Sequence, residues 1–243
     1  DHLYYHVVED DYERVHGLKK GKYHVIQNVP YEHMPTLAFE RHIQNQITGS
    51  QFPVIMFNQN RLFGDQRLRL ALASILNIEE LMQTAYRDPN FYDLDVSLTP
   101  SSSLWYVDME DLDPITQDVE YARELIREAN YIGEKIHLLT TYDREDLYQL
   151  AVSIQQQLRQ IGMNIVLDAV DGASFHALLK NPEEYDIAIT TMTSSMNPFD
   201  PFVMNPTWNH WIEQSHVMAQ LENLYETSYE DIDAQIKDLQ IEL

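Results

Sequence analysis

The 243-residue chain contains no cysteine, which excludes disulfide bridges, thiolate metal sites and a cysteine nucleophile. Basic residues are scarce: 16 Lys and Arg stand against 39 Asp and Glu, for a formal charge of −23. Such a surface repels nucleic acid and anionic membranes, so no nucleic-acid contact is expected of this chain. Long apolar runs are missing too, since none approaches the roughly 18–20 residues of a membrane-spanning helix. The opening DHLYYHVVEDD has neither Met nor a basic-then-apolar leader, and the chain reads as starting downstream of any targeting segment. What is present is a 44% hydrophobic composition, enough to bury a sizeable core in one or two domains.

The first third reads as strands around a short helix. Leu3–Val8 and Tyr23–Val29 are rich in β-branched and aromatic residues, and Pro30 ends the second run. Asp11–Lys20 between them reads as a helix closed by Gly21, and His42–Thr48 and Pro53–Asn58 alternate as further strands. In the middle, Asn77 followed by Glu80 forms a capping-box pattern ahead of a helix carrying Leu81 and Met82. Arg87–Ile115, with Pro89, Pro100, Pro114 and Ser101–Ser103, reads as an irregular loop that holds Trp105 and Tyr106.

From Lys135 strands and helices alternate. The expected elements are strand Lys135–Thr141, helix Arg144–Ile161 with Gly162 at its C-terminal end, strand Met163–Asp168, helix Ala173–Lys180 and strand Tyr185–Thr191. Leu147, Leu150, Ala151, Ile154 and Leu158 recur at helical spacing and give one buried stripe. This order predicts a parallel sheet joined by right-handed crossovers, with ligands beyond the carboxyl ends of the strands. A proline-rich loop, TMTSSMNPFDPFVMNPTWNHW, and acidic helices over about Glu213–Asp238 follow.

Four segments carry a resemblance. Phe57–Met82 places an FN strand end, a turn and an Asp-x-Arg-x-Arg-x-Ala helix in sequence, through Phe57, Asn58, Asp65, Arg67, Arg69 and Ala71. Asp118–Tyr131 reads as an A-x-x-L helix with Asn130 where Gly is usual, Leu147–Leu167 ends in Q-x-x-L-x-x-I-G, and Glu184–Ile189 carries a Tyr-Asp strand start. Together, and in this order, these resemble the bacterial solute-binding proteins that serve peptide and nickel ABC importers, family 5. Asp10–Val29 also resembles an element of that family's first lobe.

The resemblance implies an α/β, periplasmic-binding-protein-like (type II) second lobe, with a parallel-rich mixed sheet and flanking helices, plus a first-lobe remnant. The implied division is 1–60 for the remnant, 61–205 for the second lobe with its ligand loop, and 206–243 for a helical return. The chain is then a C-terminal piece of an importer's binding component, a monomer working outside the cytoplasm. Its partners would be a peptide or other small solute, trapped between two lobes, and a membrane permease. No cofactor and no catalysis are expected. Implied ligand contacts are Trp105, Tyr106, Phe175, Met192, Ser194, Ser195 and Asn197. Ser194 or Ser195 falls where peptide-binding relatives carry an Asp for the peptide's amino terminus, and a neutral hydroxyl does not replace that charge.

Other chemistry has duller readings. His2 with His6, and His210 with His216, lack an acidic ligand at metal-like spacing. The serines lack a Gly-x-Ser-x-Gly setting. Glu9, Asp10, Asp11 and Glu183, Glu184 read as caps or solvated ends, and Phe175 fits core and cleft equally. Two other classes stay open: the sensing half of a cytoplasmic transcription regulator, which would show a winged-helix start, and an α/β hydrolase, which would show a catalytic triad.

Overall fold

A computed structural model describes residues 2–45, 51–92, 94, 106, 117–193 and ten positions within 219–237. In chain order the elements are α1 (Asp11–Lys19), α2 (Met34–Ala38), β1 (Gln51–Phe57), α3 (Gln66–Ile75), α4 (Ile78–Tyr86), α5 (Val119–Glu128), β2 (Lys135–Thr141), α6 (Glu145–Gln160), β3 (Asn164–Val170), α7 (Gly172–Leu179) and β4 (Ile187–Thr193). Short 3-10 turns sit at Tyr31–His33, Leu62–Gly64 and Pro89–Phe91.

Helix starts follow from local chemistry. Asp10, Asp65, Asn77, Asp118 and Asp171 each precede a helix and accept a hydrogen bond from an amide of its first turn. Each such cap is worth about 1 kcal/mol. Two ends need a left-handed residue: Gly162 follows α6 at φ +89°, and Asn130 follows α5 at φ +55°. Asparagine tolerates that region better than most residues, so it performs the glycine's task there. The capping box at Asn77 is only half made. Asn77 accepts from the Glu80 amide at 3.0 Å, but its own N–H donates to Gln157 Oε1 at 2.8 Å, and Gln157 in turn reaches Glu80 Oε2 at 3.4 Å.

The four strands lie in the order β1-β4-β2-β3. β2 is parallel to β3 and to β4, as the sequence predicts, and β1 is antiparallel to β4 over seven residue pairs, from Gln51 opposite Thr193 to Phe57 opposite Ile187. The chain crosses from β2 to β3 through α6, then back over β2 to β4 through α7. Right-handed crossovers that reverse direction must place their helices on opposite faces, and the packing shows it. Ile136, Leu138, Ile165, Ile187 and Ile189 join the core formed with α3 to α6, whereas Met56, Leu139 and Ala188 pack with Phe175 and Leu179 of α7.

Two expectations are corrected. Leu3–Val8, Tyr23–Val29 and the described positions 42–45 form no strand. Strand propensity expresses itself through cross-strand partners, and these segments have none among the described residues; Tyr5 and Val7 are 88% and 95% exposed. The strand at Gln51–Phe57 exists, but it forms the antiparallel edge of the sheet built by the second half of the chain rather than belonging to a separate first-lobe sheet. Most of the acidic C-terminal helices, and the loop from 95 to 116 apart from Tyr106, lie outside the described residues.

Candidate functional site

The carboxyl ends of β2, β3 and β4 are Thr141, Val170 and Thr193. Because β1 runs antiparallel to β4, its first residue Gln51 lies at that same end. There the backbone is tied across strands: the Tyr142 amide donates to the Val170 carbonyl at 3.0 Å, and the Gly172 amide donates to Asp143 Oδ2 at 2.7 Å. Asp171 holds both the amide and the hydroxyl of Ser174, at 2.9 and 2.7 Å. Those hydrogen bonds, the hydroxyl's above all, hold its carboxyl below the usual range. Tyr142 projects from this rim and is exposed. Two helices also begin here, α6 and α7, so the partial positive charge of their first turns faces the same side.

Beside this rim stands an aromatic and ionic cluster. α4 runs antiparallel to α6, since Asn77 at its start meets Gln157 near the end of α6, while the Tyr86 phenol at its end feels the Asp146 carboxylate at the start of α6. Asp146 is buried and is gripped by Arg144 through Nε at 2.9 Å and a terminal nitrogen at 2.6 Å. The Tyr31 ring, from the N-terminal segment, meets Tyr86 edge-on at 4.8 Å and leans on Phe91 at 5.9 Å. Burial, and then the Asp146 charge, push both phenols upward from their ordinary value.

The residues expected to touch ligand are distributed unevenly. Phe175 is 2% exposed and packs with Met56, Leu139, Leu179, Tyr185 and Ala188 in the core between α7 and the sheet. Met192 is likewise buried, one residue before the end of β4, and Tyr106 is partly buried. Trp105, Ser194, Ser195 and Asn197 lie outside the described residues. Sequence reading missed Tyr142, Asp143 and Asp171, although their place just after two strands was a usable signal.

The recognition motifs prove to be architecture. Asp65 caps α3 and pairs with Arg67 at 2.6 Å, Arg67 also donates to the Glu128 carbonyl of α5 at 2.6 Å, and Arg69 reaches back to the Phe63 carbonyl at 2.6 Å. Asn58 and Asp186, from the FN and Tyr-Asp motifs, meet each other at the opposite end of the sheet from the rim. The Asn58 amide donates to the Asp186 carbonyl at 2.9 Å, and the Asn58 side chain donates to the Tyr185 carbonyl at 2.8 Å. The Asp186 carboxylate is fully buried; it accepts from Arg61 Nε at 2.8 Å and from the His137 amide at 2.7 Å. A buried carboxylate is tolerated only when paired and hydrogen-bonded in this way.

His137 Nδ1 lies 2.7 Å from Asp168 Oδ2. Among the described residues no group of three His, Asp or Glu side chains gathers as metal ligands do, and no helix is long and apolar enough to cross a membrane.

Comparison with known proteins is concordant. Residues 1–212 match the family model described as "Bacterial extracellular solute-binding proteins, family 5 Middle". A Sinorhizobium fredii protein named "Probable peptide ABC transporter periplasmic-binding protein y4tO" is 24% identical over 170 residues, covering 68% of this chain and 32% of its own length. Among solved structures, the ABC transporter substrate-binding protein CtaP of Listeria monocytogenes superposes with a TM-score of 0.82 at 17% identity, over 96% of this chain and 49% of its own. DppA of Helicobacter pylori, in complex with the peptide STSA, gives 0.82 at 17% identity over 96% and 47%. NikA of Staphylococcus aureus, in complex with Ni(L-His)2, gives 0.77 at 18% over 96% and 51%. The chain thus spans about a third to a half of the length of the relatives it matches.

Proposed function

The chain belongs to the bacterial extracellular solute-binding proteins, family 5, and from that premise we propose that it supplies one α/β lobe of a binding protein that traps an extended peptide and hands it to a membrane importer. The observation that carries this reading is the arrangement of the β1–β4 pair. Both covalent connections between residues 51–193 and the rest of the chain leave from its outer end, Gln51 and Thr193, beside the carboxyl ends where open α/β sheets bind ligands. Two adjacent connections next to a binding rim are what a lobe needs to rotate shut over a solute.

The site supports binding rather than catalysis. The rim offers backbone ends, the exposed ring of Tyr142, and the carboxylates of Asp143 and Asp171, on a floor that includes Phe175 and Met192. Tyr106, Trp105, Ser194, Ser195 and Asn197 complete the proposed lining. Backbone hydrogen bonds to an extended ligand, with roomy side-chain pockets, give broad selectivity. Peptide is favoured over nickel and other solutes by the printed descriptions of the Sinorhizobium and Helicobacter relatives. The protein works outside the cytoplasmic membrane, with a permease as its partner.

A thermal-shift screen of the whole binding protein against peptides, sugars and Ni2+ tests this, together with calorimetry on the 243-residue chain alone. Peptides should raise Tm by several degrees. The lone chain, supplying about half of a micromolar site's roughly 8 kcal/mol, should bind no tighter than about millimolar. A rise with Ni2+ or a sugar and none with any peptide would overturn the peptide reading, and micromolar peptide binding by the lone chain would overturn the two-lobe reading. Acetylating the peptide's amino terminus should cost little if Ser194 and Ser195 replace an anchoring carboxylate. A loss above about 3 kcal/mol would assign the anchor to another acid, with Asp143 and Asp171 the first to mutate.

A further inference from the structure

We propose that the Asp171–Gly172 step is a modification site, a piece of backbone that ages to isoaspartate, and that Asp143, Ser174 and Phe175 hold it closed at the carboxyl end of β3. The proposal goes beyond the ligand reading and does not depend on it.

An aspartate followed by glycine is where this chemistry meets least obstruction, because no side chain stands beside the attacking nitrogen. The backbone nitrogen of Gly172 attacks Cγ of Asp171. A new N–Cγ bond forms, the Cγ–O bond breaks, and the carboxyl hydroxyl leaves with the amide proton as water. Water then opens the cyclic imide at either carbonyl. Opening at Cγ restores aspartate, whereas opening at the main-chain carbonyl routes the backbone through the side chain and lengthens it by a methylene. The same glycine serves the fold. A β-carbon at 172 would stand 3.2 Å from Asp143 Oδ2, the atom that accepts from the Gly172 amide at 2.7 Å. The close approach that ties the rim together therefore brings the reactive step with it.

In the folded chain every group that must move is held. Ring closure needs the Gly172 nitrogen to swing toward the Asp171 side chain about the Asp171 Cα–C bond, and ψ there is 161°, which turns the two well apart. Both polar ends of the peptide plane resist that rotation: its N–H donates to Asp143, and its carbonyl accepts from the Phe175 amide at 2.8 Å. Phe175 is anchored in the core, so this tether does not drift. The carboxylate is bound by the amide and hydroxyl of Ser174, at 2.9 and 2.7 Å. These bonds favour its ionised form, and only the protonated form has a hydroxyl to lose. Imide formation must wait until the first turn of α7 opens. Tethers at the amide, the carbonyl and the carboxylate, worth roughly five-fold each, slow the step about a hundred-fold relative to free peptide.

Peptide mapping of the 243-residue chain, held warm at neutral pH, tests this. The free peptide AVDGAS, residues 169–174, is incubated beside it, and isoaspartate at 171 is measured by mass spectrometry after digestion with a protease that cuts at aspartate but not at isoaspartate. The chain should isomerise about a hundred-fold more slowly than the peptide, and Asp143→Ala and Ser174→Ala should each quicken it about five-fold. Amide exchange at Ile154 should stay unchanged in both variants. Equal rates in chain and peptide, or variants that isomerise at the wild-type rate, would overturn the proposal. Faster exchange at Ile154 would overturn it as well, because the step would then open by general unfolding rather than by release of a tether. Should Asp143→Ala not fold, Ser174→Ala, which spares every backbone bond, is read by the same criterion. A failed ligand screen leaves this site standing, and a failed mapping leaves the peptide reading standing.

Discussion

Replacing Tyr86 by Phe should make the protein more resistant to alkali. The Tyr86 ring is 6% exposed at the end of α4, and burial followed by the nearby Asp146 charge hold its phenol well above the ordinary tyrosine value of 10.0. Below pH 10 the phenol is protonated in both the folded and the unfolded chain, so it adds no pH dependence. Above pH 10 the unfolded chain releases this proton while the native chain keeps it. The number of bound protons is then smaller in the unfolded state, and linkage makes stability fall by about 1.4 kcal/mol per pH unit until the native phenol itself ionises. At pH 11.5 the loss from this one residue is about 2 kcal/mol. Tyr86→Phe keeps the ring contacts with Tyr31 and Tyr92 and deletes the proton. Urea unfolding followed by circular dichroism at pH 8 and pH 11.5 should show the two proteins within about 1 kcal/mol at the lower pH, with the variant losing about 2 kcal/mol less than wild type between the two. Parallel losses would show that water or a cation reaches the hydroxyl, and that the notch between α4 and α6 is not dry.

Gln157→Leu should cost about 1–3 kcal/mol in chemical denaturation, because it strands the Asn77 amide behind the start of α4; a cost near zero would mean that Glu80 swings in to complete the box itself. Gly64→Ala should lower stability by about 1–3 kcal/mol, since the new methyl would stand 2.5 Å from the Gln59 carbonyl oxygen and backbone cannot swing aside, so an unchanged Tm would refute a tight turn there. Amide exchange should protect Ile154 of α6 and Ile187 of β4 far more than Val7 or Val25, and equal protection would mean that the N-terminal segments find strand partners in solution.

What was legible in the sequence divides along a physical line. Helices with a regular apolar stripe, such as α6 with Leu147, Leu150, Ile154 and Leu158, are specified within a few turns of chain, and their bounds fall within a residue or two of expectation. So does the parallel sheet, because an alternation of strand and helix leaves few topologies open. Leu3–Val8 fails for the complementary reason: its alternation encodes willingness to pair, and pairing needs a neighbour that local sequence does not name. The buried cluster of Asn58, Arg61 and Asp186 shows the same limit. Asn58 and Asp186 were each visible as motif residues, yet Arg61 and Asp186 stand 125 positions apart, and nothing local announces that they meet. Phe175 read equally well as core or cleft because an aromatic in the first turn of a helix serves either; only the packing of α7 on Leu139 and Met56 decides where it sits.

The adjacency of Gln51 and Thr193 also bears on how such a unit can be handled by evolution or by an engineer. Residues directly opposite in an antiparallel ladder have Cα atoms about 4.5–5.5 Å apart, so the stretch from 51 to 193 enters and leaves its surroundings through a single doorway. A segment with that geometry can be spliced into a surface loop of an unrelated host without prising the host's ends apart, or its own ends can be joined by a turn and new ends opened elsewhere, in the manner of permuted and inserted domains. The buried hydrogen-bonded cluster at the far end would travel intact with the graft, since Asn58, Arg61, His137 and Asp186 all lie inside it.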